Sequence, residues 1–217
     1  MQKQAILSAI LKIGVVPVVR TSSAETAIRA IEAIYRGGIH VAEVTMTVPG
    51  AIRALEKLAD EFGDKIVLGA GTVLDPETAR ACMLAGAQFF VTPALNVKTI
   101  EMANRYSKPI MPGALTPTEV LAAWDAGASI VKVFPCGAVG GPKYIRALKG
   151  PFPQIEMIPT GGVNLETTAE FLKAGACAVA VGGELIDAKT IGEGRYEVFE
   201  ERARLYLAEV AKGRIDA

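Results

Sequence analysis

The feature that most constrains this chain is a helix-to-strand junction that recurs four times. It reads Gly37-Gly38-Ile39, Ala85-Gly86-Ala87, Ala126-Gly127-Ala128 and Ala174-Gly175-Ala176. Each copy ends a helical pattern and precedes a β-branched run, where a Gly supplies the left-handed cap that turns the chain back tightly. Four copies predict repeated βα units. Short apolar runs mark strands over 15–19, 39–45, 66–68, 88–91, 109–111, 129–134, 156–158 and 177–181. Several are apolar throughout, as in strands buried on both faces. Between them, Ser22-Ser-Ala-Glu25 and Thr116-Pro-Thr-Glu119 read as capping boxes, and Asp75 and Asn164 as N-caps.

Eight strands, each followed by a helix, in 217 residues predict an α/β chain folded as one (β/α)₈ TIM-barrel domain over 1–217. A short N-terminal helix would cover 1–13, the barrel 14–186 and a C-terminal helix 187–217. The rival is a doubly wound open sheet. Gly69-Ala-Gly71-Thr-Val-Leu74 resembles its dinucleotide fingerprint, but the third Gly is missing and the next helix begins only at Asp75. At the N-terminus, apolar pairs at 6/7 and 10/11 form one helical face, and Lys12 breaks the run far short of a bilayer span. An amphipathic helix packed on the domain is the expectation there, rather than a signal peptide.

Composition narrows the function. Hydrophobic residues make up 51% of the chain and Gly supplies 22 more positions, above the roughly 45–50% that soluble domains carry for the two together. Disorder is excluded. With 23 basic and 23 acidic side chains and no basic stripe, neither nucleic acid nor an anionic membrane is an expected partner. One His and three scattered Cys make neither a zinc site nor a disulfide framework, so no metal is expected and a reducing cytoplasm is the default. Cys82, Cys136 and Cys177 read as small packing residues, His40 as structural or exposed, and Trp124 as core or interface.

In a barrel the chemistry sits at the C-terminal ends of the strands. Strand parity groups Ile130, Lys132 and Phe134 on one face, and Val41, Glu43 and Thr45 on another. If both faces look inward, Lys132 is desolvated, which lowers a Lys pKa. Neutrality at pH 7 requires a drop of about 3 pKa units, roughly 4 kcal/mol. A neutral Lys beside a carbonyl is a Schiff-base nucleophile. A structural Lys paired with a buried carboxylate is the equally weighted alternative. Glu43 would then be either the proton shuttle or the ion-pair partner. Two glycine pairs, Gly161-Gly162 and Gly182-Gly183, follow the last two strands, where barrels often hold phosphate on backbone N–H groups; simple tight turns are the competing account. Arg20, ending the first strand, is a candidate clamp for a substrate carboxylate, and Thr72 a candidate hydroxyl donor.

These motifs together resemble the 2-keto-3-deoxy-6-phosphogluconate aldolase family, which also contains 4-hydroxy-2-oxoglutarate aldolases. The resemblance runs from about Ile13 to Ile186. It rests on Val15-Val-Pro-Val, Ala42-Glu-Val-Thr45, Gly69-Ala-Gly-Thr-Val73, Thr92-Pro93, Met111-Pro-Gly113, Val131-Lys-Val-Phe-Pro135, Pro159-Thr-Gly-Gly-Val163 and Val181-Gly-Gly183. It implies a class I aldolase without metal or cofactor, commonly a homotrimer, that cleaves a 2-keto acid to pyruvate. Lys132 matches the Schiff-base lysine and Glu43 the general acid/base. Arg20, Thr47, Thr72, Pro93, Phe134 and Thr160 fall to the substrate, and Gly161, Gly162, Gly182 and Gly183 to its phosphate.

Two positions depart from the family pattern. Thr47 stands where many members carry an Arg on the pyruvate carboxylate, and Arg20 is expected to take over that contact. Glu184 stands where a small or hydroxyl residue is common. It either points away or marks an unphosphorylated substrate such as 4-hydroxy-2-oxoglutarate. Two other functions compete: a phosphate-binding isomerase with no covalent intermediate, and a barrel kept as an assembly scaffold.

Overall fold

The computed structural model describes residues 1–214. After a first helix α1 (Lys3–Ile13), strands and helices alternate. They are β1 (Val15–Val19), α2 (Ala24–Arg36), β2 (Val41–Thr45), α3 (Ala51–Phe62), β3 (Val67–Gly71), α4 (Pro76–Leu84), β4 (Phe89–Val91) and α5 (Val97–Arg105). Then follow β5 (Ile110–Met111), β6 (Gly113–Ala114), α6 (Pro117–Asp125), β7 (Val131–Val133), α7 (Pro142–Lys149), β8 (Met157–Pro159), α8 (Leu165–Lys173) and β9 (Val179–Val181). Two helices close the described chain, α9 (Ala188–Gly192) and α10 (Glu197–Arg214), where one C-terminal helix over 187–217 was expected; residues 215–217 lie outside the described part.

The four junction glycines behave as the repeat predicts: Gly38, Gly86, Gly127 and Gly175 have φ of 99°, 101°, 91° and 101°. Helix starts follow side-chain chemistry. Asp75 Oδ1 accepts from the Thr78 N–H at 2.6 Å, and Thr116 with Glu119 and Asn164 with Thr167 close capping boxes. One cap moves by a residue. Ser23, not Ser22, accepts from the Thr26 N–H, at 3.2 Å, so α2 begins without the Ser22–Glu25 box.

All strand pairs are parallel. One sheet runs β5-β4-β3-β2-β1-β9 and another β6-β7-β8, with a parallel bridge from Thr160, just after β8, to Ala180 in the middle of β9. The order follows the chain without the mid-sheet reversal of a doubly wound fold. The fifth strand, expected over 109–111, is β5, and a further short strand, β6, follows it across Pro112, which has no N–H for the ladder. Its carbonyl still accepts from the Lys132 N–H at 2.9 Å, and the Ile110 carbonyl accepts from Ser129. The result is an α/β fold whose parallel sheet curls on itself.

Period-two alternation sorts the strand side chains into two cores. Val15, Val19, Ala42, Val44, Leu68, Val131 and Val133 pack outward against the helices. Val16, Val18, Val41, Val67, Phe89, Ile130 and Ile158 pack together inside the curl. Ile6 and Ile10 of α1 join that inner cluster, each burial contributing roughly 1.5–3 kcal/mol. Arg214 of α10 donates to the carbonyls of Leu11 and Lys12, capping the C-terminal end of α1. His40 is exposed and stacks on Tyr35 with ring centroids 4.6 Å apart. Trp124 packs half-buried on the outer core. Cys82 and Cys136 are buried, and burial pushes both thiols up to about 12.

Candidate active site

Lys132 and Glu43 both face the interior of the curl. Lys132 is central in β7, in register with Gly113 on one side and Ile158 on the other. Only 6% of it is exposed, and its ammonium lies 5.0 Å from the centroid of the Phe134 ring. Glu43 lies in β2 between Val18 and Gly69 in register and is 1% exposed. Neither carboxylate oxygen of Glu43 has a hydrogen-bond partner among the described residues. An unpaired buried polar group costs about 1–3 kcal/mol, so its presence calls for a reason beyond packing.

The electrostatics follow from that burial. Desolvation raises the Glu43 carboxyl to about 7, against the opposing pull of Lys132 and then Arg20. Desolvation lowers the Lys132 amine, Glu43 opposes the change, and Arg20 adds to it. Glu43 and Lys132 therefore each feel the other's charge and that of Arg20. A carboxyl near 7 both takes and gives protons at neutral pH. An amine held down by burial exposes its lone pair more readily than a surface Lys.

Room for these side chains comes from glycines on β3 whose purpose was not evident in the sequence. A Cβ on Gly71 would lie 2.3 Å from Glu43 Oε1, and one on Gly69 would lie 2.3 Å from the Phe89 ring. The two glycines that superficially suggested a nucleotide fingerprint instead leave space for a carboxylate and an aromatic ring. Gly113 plays a similar part beside Lys132, because a Cβ there would come within 2.3 Å of the Pro93 carbonyl.

A cavity of about 490 Å³ opens at the C-terminal ends of β1, β8 and β9. Arg20, Phe134, Thr160, Gly161, Gly162, Gly182 and Gly183 all border it. Thr160 is 8% exposed, and its hydroxyl has no partner among the described residues. Gly161 and Gly162 have φ of 84° and 75°, and Gly162 packs on Gly137, where a Cβ would be 2.7 Å from the Gly137 Cα. Side chains at this turn would strain the backbone and collide with the next loop. Three expected substrate residues lie elsewhere. Thr72 follows β3 with φ of 53°, Pro93 backs Gly113, and Thr47 is exposed, its hydroxyl 2.9 Å from that of Thr45. None of the three borders this cavity.

Glu184 and Asp187 also border the cavity. Asp187 had no place in the sequence reading, although its spacing to Thr190 carries an N-cap signal: its Oδ1 accepts from the Thr190 N–H at 2.8 Å. Its other oxygen pairs with Arg202 at 2.7 Å. Among the described residues, no group of three or more His, Cys, Asp or Glu comes together as a metal site, and no helix is long and apolar enough to cross a membrane.

Residues 6–201 match the family model for KDPG and KHG aldolase. The 2-dehydro-3-deoxy-phosphogluconate aldolase of Treponema pallidum (strain Nichols) is 34% identical over 191 residues, covering 88% of this chain and 90% of that protein. The KHG/KDPG aldolase of Escherichia coli (strain K12) is 34% identical over 190 residues, covering 88% and 89%. Among solved structures, a KDPG aldolase from Legionella pneumophila, with pyruvate captured at low pH as a covalent carbinolamine intermediate, aligns with a TM-score of 0.85. It is 31% identical and the alignment covers 92% of this chain and 96% of that one.

Proposed function

The chain belongs to the KDPG and KHG aldolase family, and from that premise we propose that it is a class I aldolase cleaving 2-keto-3-deoxy-6-phosphogluconate to pyruvate and glyceraldehyde 3-phosphate. The observation that carries the proposal is a desolvated amine, Lys132, facing the same interior as a buried carboxyl, Glu43, without hydrogen-bond partners among the described residues. Neutral Lys132 attacks the C2 ketone, and loss of water from the carbinolamine leaves an iminium. Glu43 accepts the C4 hydroxyl proton as the C3–C4 bond breaks, and the bonding pair moves into the iminium to form an enamine. The aldehyde departs, Glu43 returns a proton to C3, and water hydrolyses the imine to release pyruvate and restore the amine. The Phe134 ring beside the nitrogen favours the cationic stage.

Arg20 is assigned to the substrate carboxylate, because its charge acts on both Glu43 and Lys132 and it borders the cavity. Thr160 is assigned to the substrate near the reacting carbon, with Phe134 closing one side. The Gly161-Gly162 and Gly182-Gly183 turns are assigned to the far end of the substrate. Thr47, Thr72 and Pro93 would act from the opposite rim. The alternative reading is cleavage of 4-hydroxy-2-oxoglutarate, since the matched family covers KHG as well as KDPG aldolases.

The finer architecture belongs to the same proposal. Counting 110–114 as one strand gives eight, and the Thr160–Ala180 bridge supports their closure into a single (β/α)₈ barrel domain. Leu74 and Val97 are exposed and adjoin where the Asn96 side chain donates to the Leu74 carbonyl; they support an assembly with this apolar patch inside it, which we take to be the homotrimer common in the family, in the reducing cytoplasm that the three free cysteines favour.

Borohydride added with pyruvate tests the chemistry. Mass spectrometry should find a stable pyruvate adduct on Lys132, formed equally in EDTA and absent from Lys132→Met. Active protein with Lys132 unlabelled would overturn the mechanism and favour an isomerase with no covalent stage. Loss of labelling in EDTA would point to a metal-dependent enzyme.

A further inference from the structure

Lys132 and Glu43 stand on different sheets, Glu43 on β2 of the longer one and Lys132 on β7 of the shorter one. The spacing of amine and carboxyl is therefore set by how the two sheets are joined. On one side a backbone bridge runs from Thr160 to Ala180. On the other the seam falls at Pro112, between β5 and β6. At the end of this seam away from the chemistry, the Ile110 carbonyl accepts from the Ser129 N–H at 3.0 Å. The end beside Lys132 is fastened differently.

β4 and β5 pair in regular parallel steps, in which the Phe90 N–H donates to the Pro109 carbonyl and the Thr92 N–H to the Met111 carbonyl. The next step of such a ladder would run from the Gly113 N–H to the Thr92 carbonyl. It runs instead to the Thr92 hydroxyl, at 3.2 Å. Thr92 is 1% exposed, and its hydroxyl donates to the Ala94 carbonyl at 2.6 Å, which leaves a lone pair to face Gly113. Gly113 and Ala114 make up β6, and β6 holds Lys132. Gly113 is in register with it, and the carbonyls of Pro112 and Ala114 accept from the N–H groups of Lys132 and Phe134 at 2.9 and 3.1 Å. Thr92 does not border the cavity. Resting on the aldolase assignment, we infer that Thr92 is a positioning residue for the reaction. Its hydroxyl ties β6 to the end of β4 and so holds the Lys132 amine at its working distance from the Glu43 carboxyl, without touching substrate.

Thr92→Ser keeps the hydroxyl, Thr92→Cys replaces it with a weaker acceptor, and Thr92→Val removes it at nearly the same size. kcat and KM for 2-keto-3-deoxy-6-phosphogluconate are measured below each protein's melting transition. Both are normalised to the fraction of Lys132 that borohydride and pyruvate trap at long times. Thr92→Val should lose on the order of 100-fold in kcat, the cost of a misplacement of about 1 Å. Its KM should stay within about threefold of the parent, because no substrate contact is lost. Thr92→Cys should fall between, and Thr92→Ser should keep kcat within about threefold. Lost packing alone would lower Tm and leave the normalised kcat standing, so a Val variant with kcat close to the parent overturns the inference. A loss carried by KM alone overturns it too, as does a Ser variant that falls as far as Val, which would make the methyl group the determinant. Should the Val variant fail to fold, the other two decide: equal kcat in Ser and Cys overturns the inference, and a loss confined to Cys supports it. A parent that is active and trapped, with variants unchanged, defeats this inference by itself. No adduct even in the parent defeats the aldolase assignment and this inference with it.

Discussion

Gly71→Ala separates catalysis from stability. A Cβ there would lie 2.3 Å from Glu43 Oε1, 2.6 Å from Cδ and 3.2 Å from Oε2. Ordinary contact is about 3.5–4.0 Å, so the carboxylate must retreat by roughly an ångström. It is the free end of a flexible side chain, and its oxygens hold no hydrogen bond that the retreat would break. The stability cost should stay near or below about 1 kcal/mol, the low end for overpacking. Catalysis is less tolerant, because a displacement of about 1 Å costs on the order of 100-fold, or about 2.7 kcal/mol of barrier. Gly69→Ala is the control. Its Cβ would strike the Phe89 ring at 2.3, 2.4 and 2.5 Å, and that ring is rigid and buried. There the overpacking cost of about 1–3 kcal/mol falls on folding, lowering Tm by roughly 2–12 °C for a chain of this size. Steady-state pyruvate release coupled to lactate dehydrogenase, with calorimetry on the same samples, reads both quantities. If Gly71→Ala kept kcat within twofold of the parent, the position of the Glu43 carboxylate would not govern the rate.

Three further outcomes follow from the same electrostatics. Arg20→Ala should raise KM for the keto acid by about 10–100-fold, the worth of a charge-assisted hydrogen bond, and move the pH–rate profile to higher pH, since Arg20 lowers both Glu43 and Lys132; an unchanged KM would remove Arg20 from the carboxylate. Glu43→Gln should lower kcat by about 10²–10⁴-fold, the usual worth of a positioned acid/base, with pyruvate trapping much slowed. The stability difference between this variant and the parent should also depend on pH. The folded carboxyl is raised from 4.5 to about 7, so the parent loses stability as pH rises through that window, by on the order of 3 kcal/mol. Denaturation of Glu43→Gln should show a gain over the parent at pH 8 that fades by pH 5, and a gain of equal size at both would refute the burial argument.

The inward direction of Lys132 was legible because parity is local. Knowing that Val131 and Val133 pack on helices fixes where Lys132 points, and the same holds for Glu43 between Ala42 and Val44. The junction glycines were legible for a similar reason, since a left-handed cap depends on its own residue alone. Gly69 and Gly71 were not, because what they accommodate, Phe89 and the Glu43 carboxylate, arrives from neighbouring strands. The break at Pro112 depends on which strand faces its missing N–H. Ser22 and Ser23 offer the same chemistry, and only the position of the Thr26 N–H decides between them. The influence of Arg20 on two residues distant in the sequence likewise required the sheet to curl first.

The docking of Ile6 and Ile10 into the inner cluster turns the interior into a well with a plugged bottom. The cavity beside Arg20 and the glycine turns opens at the other end of the strands, although Lys132 and Glu43 are not among the residues that border it. Under the proposed chemistry, the fragment bound to Lys132 would stay behind while the aldehyde leaves, so the closed bottom of the well would set the order of departure together with the bonds.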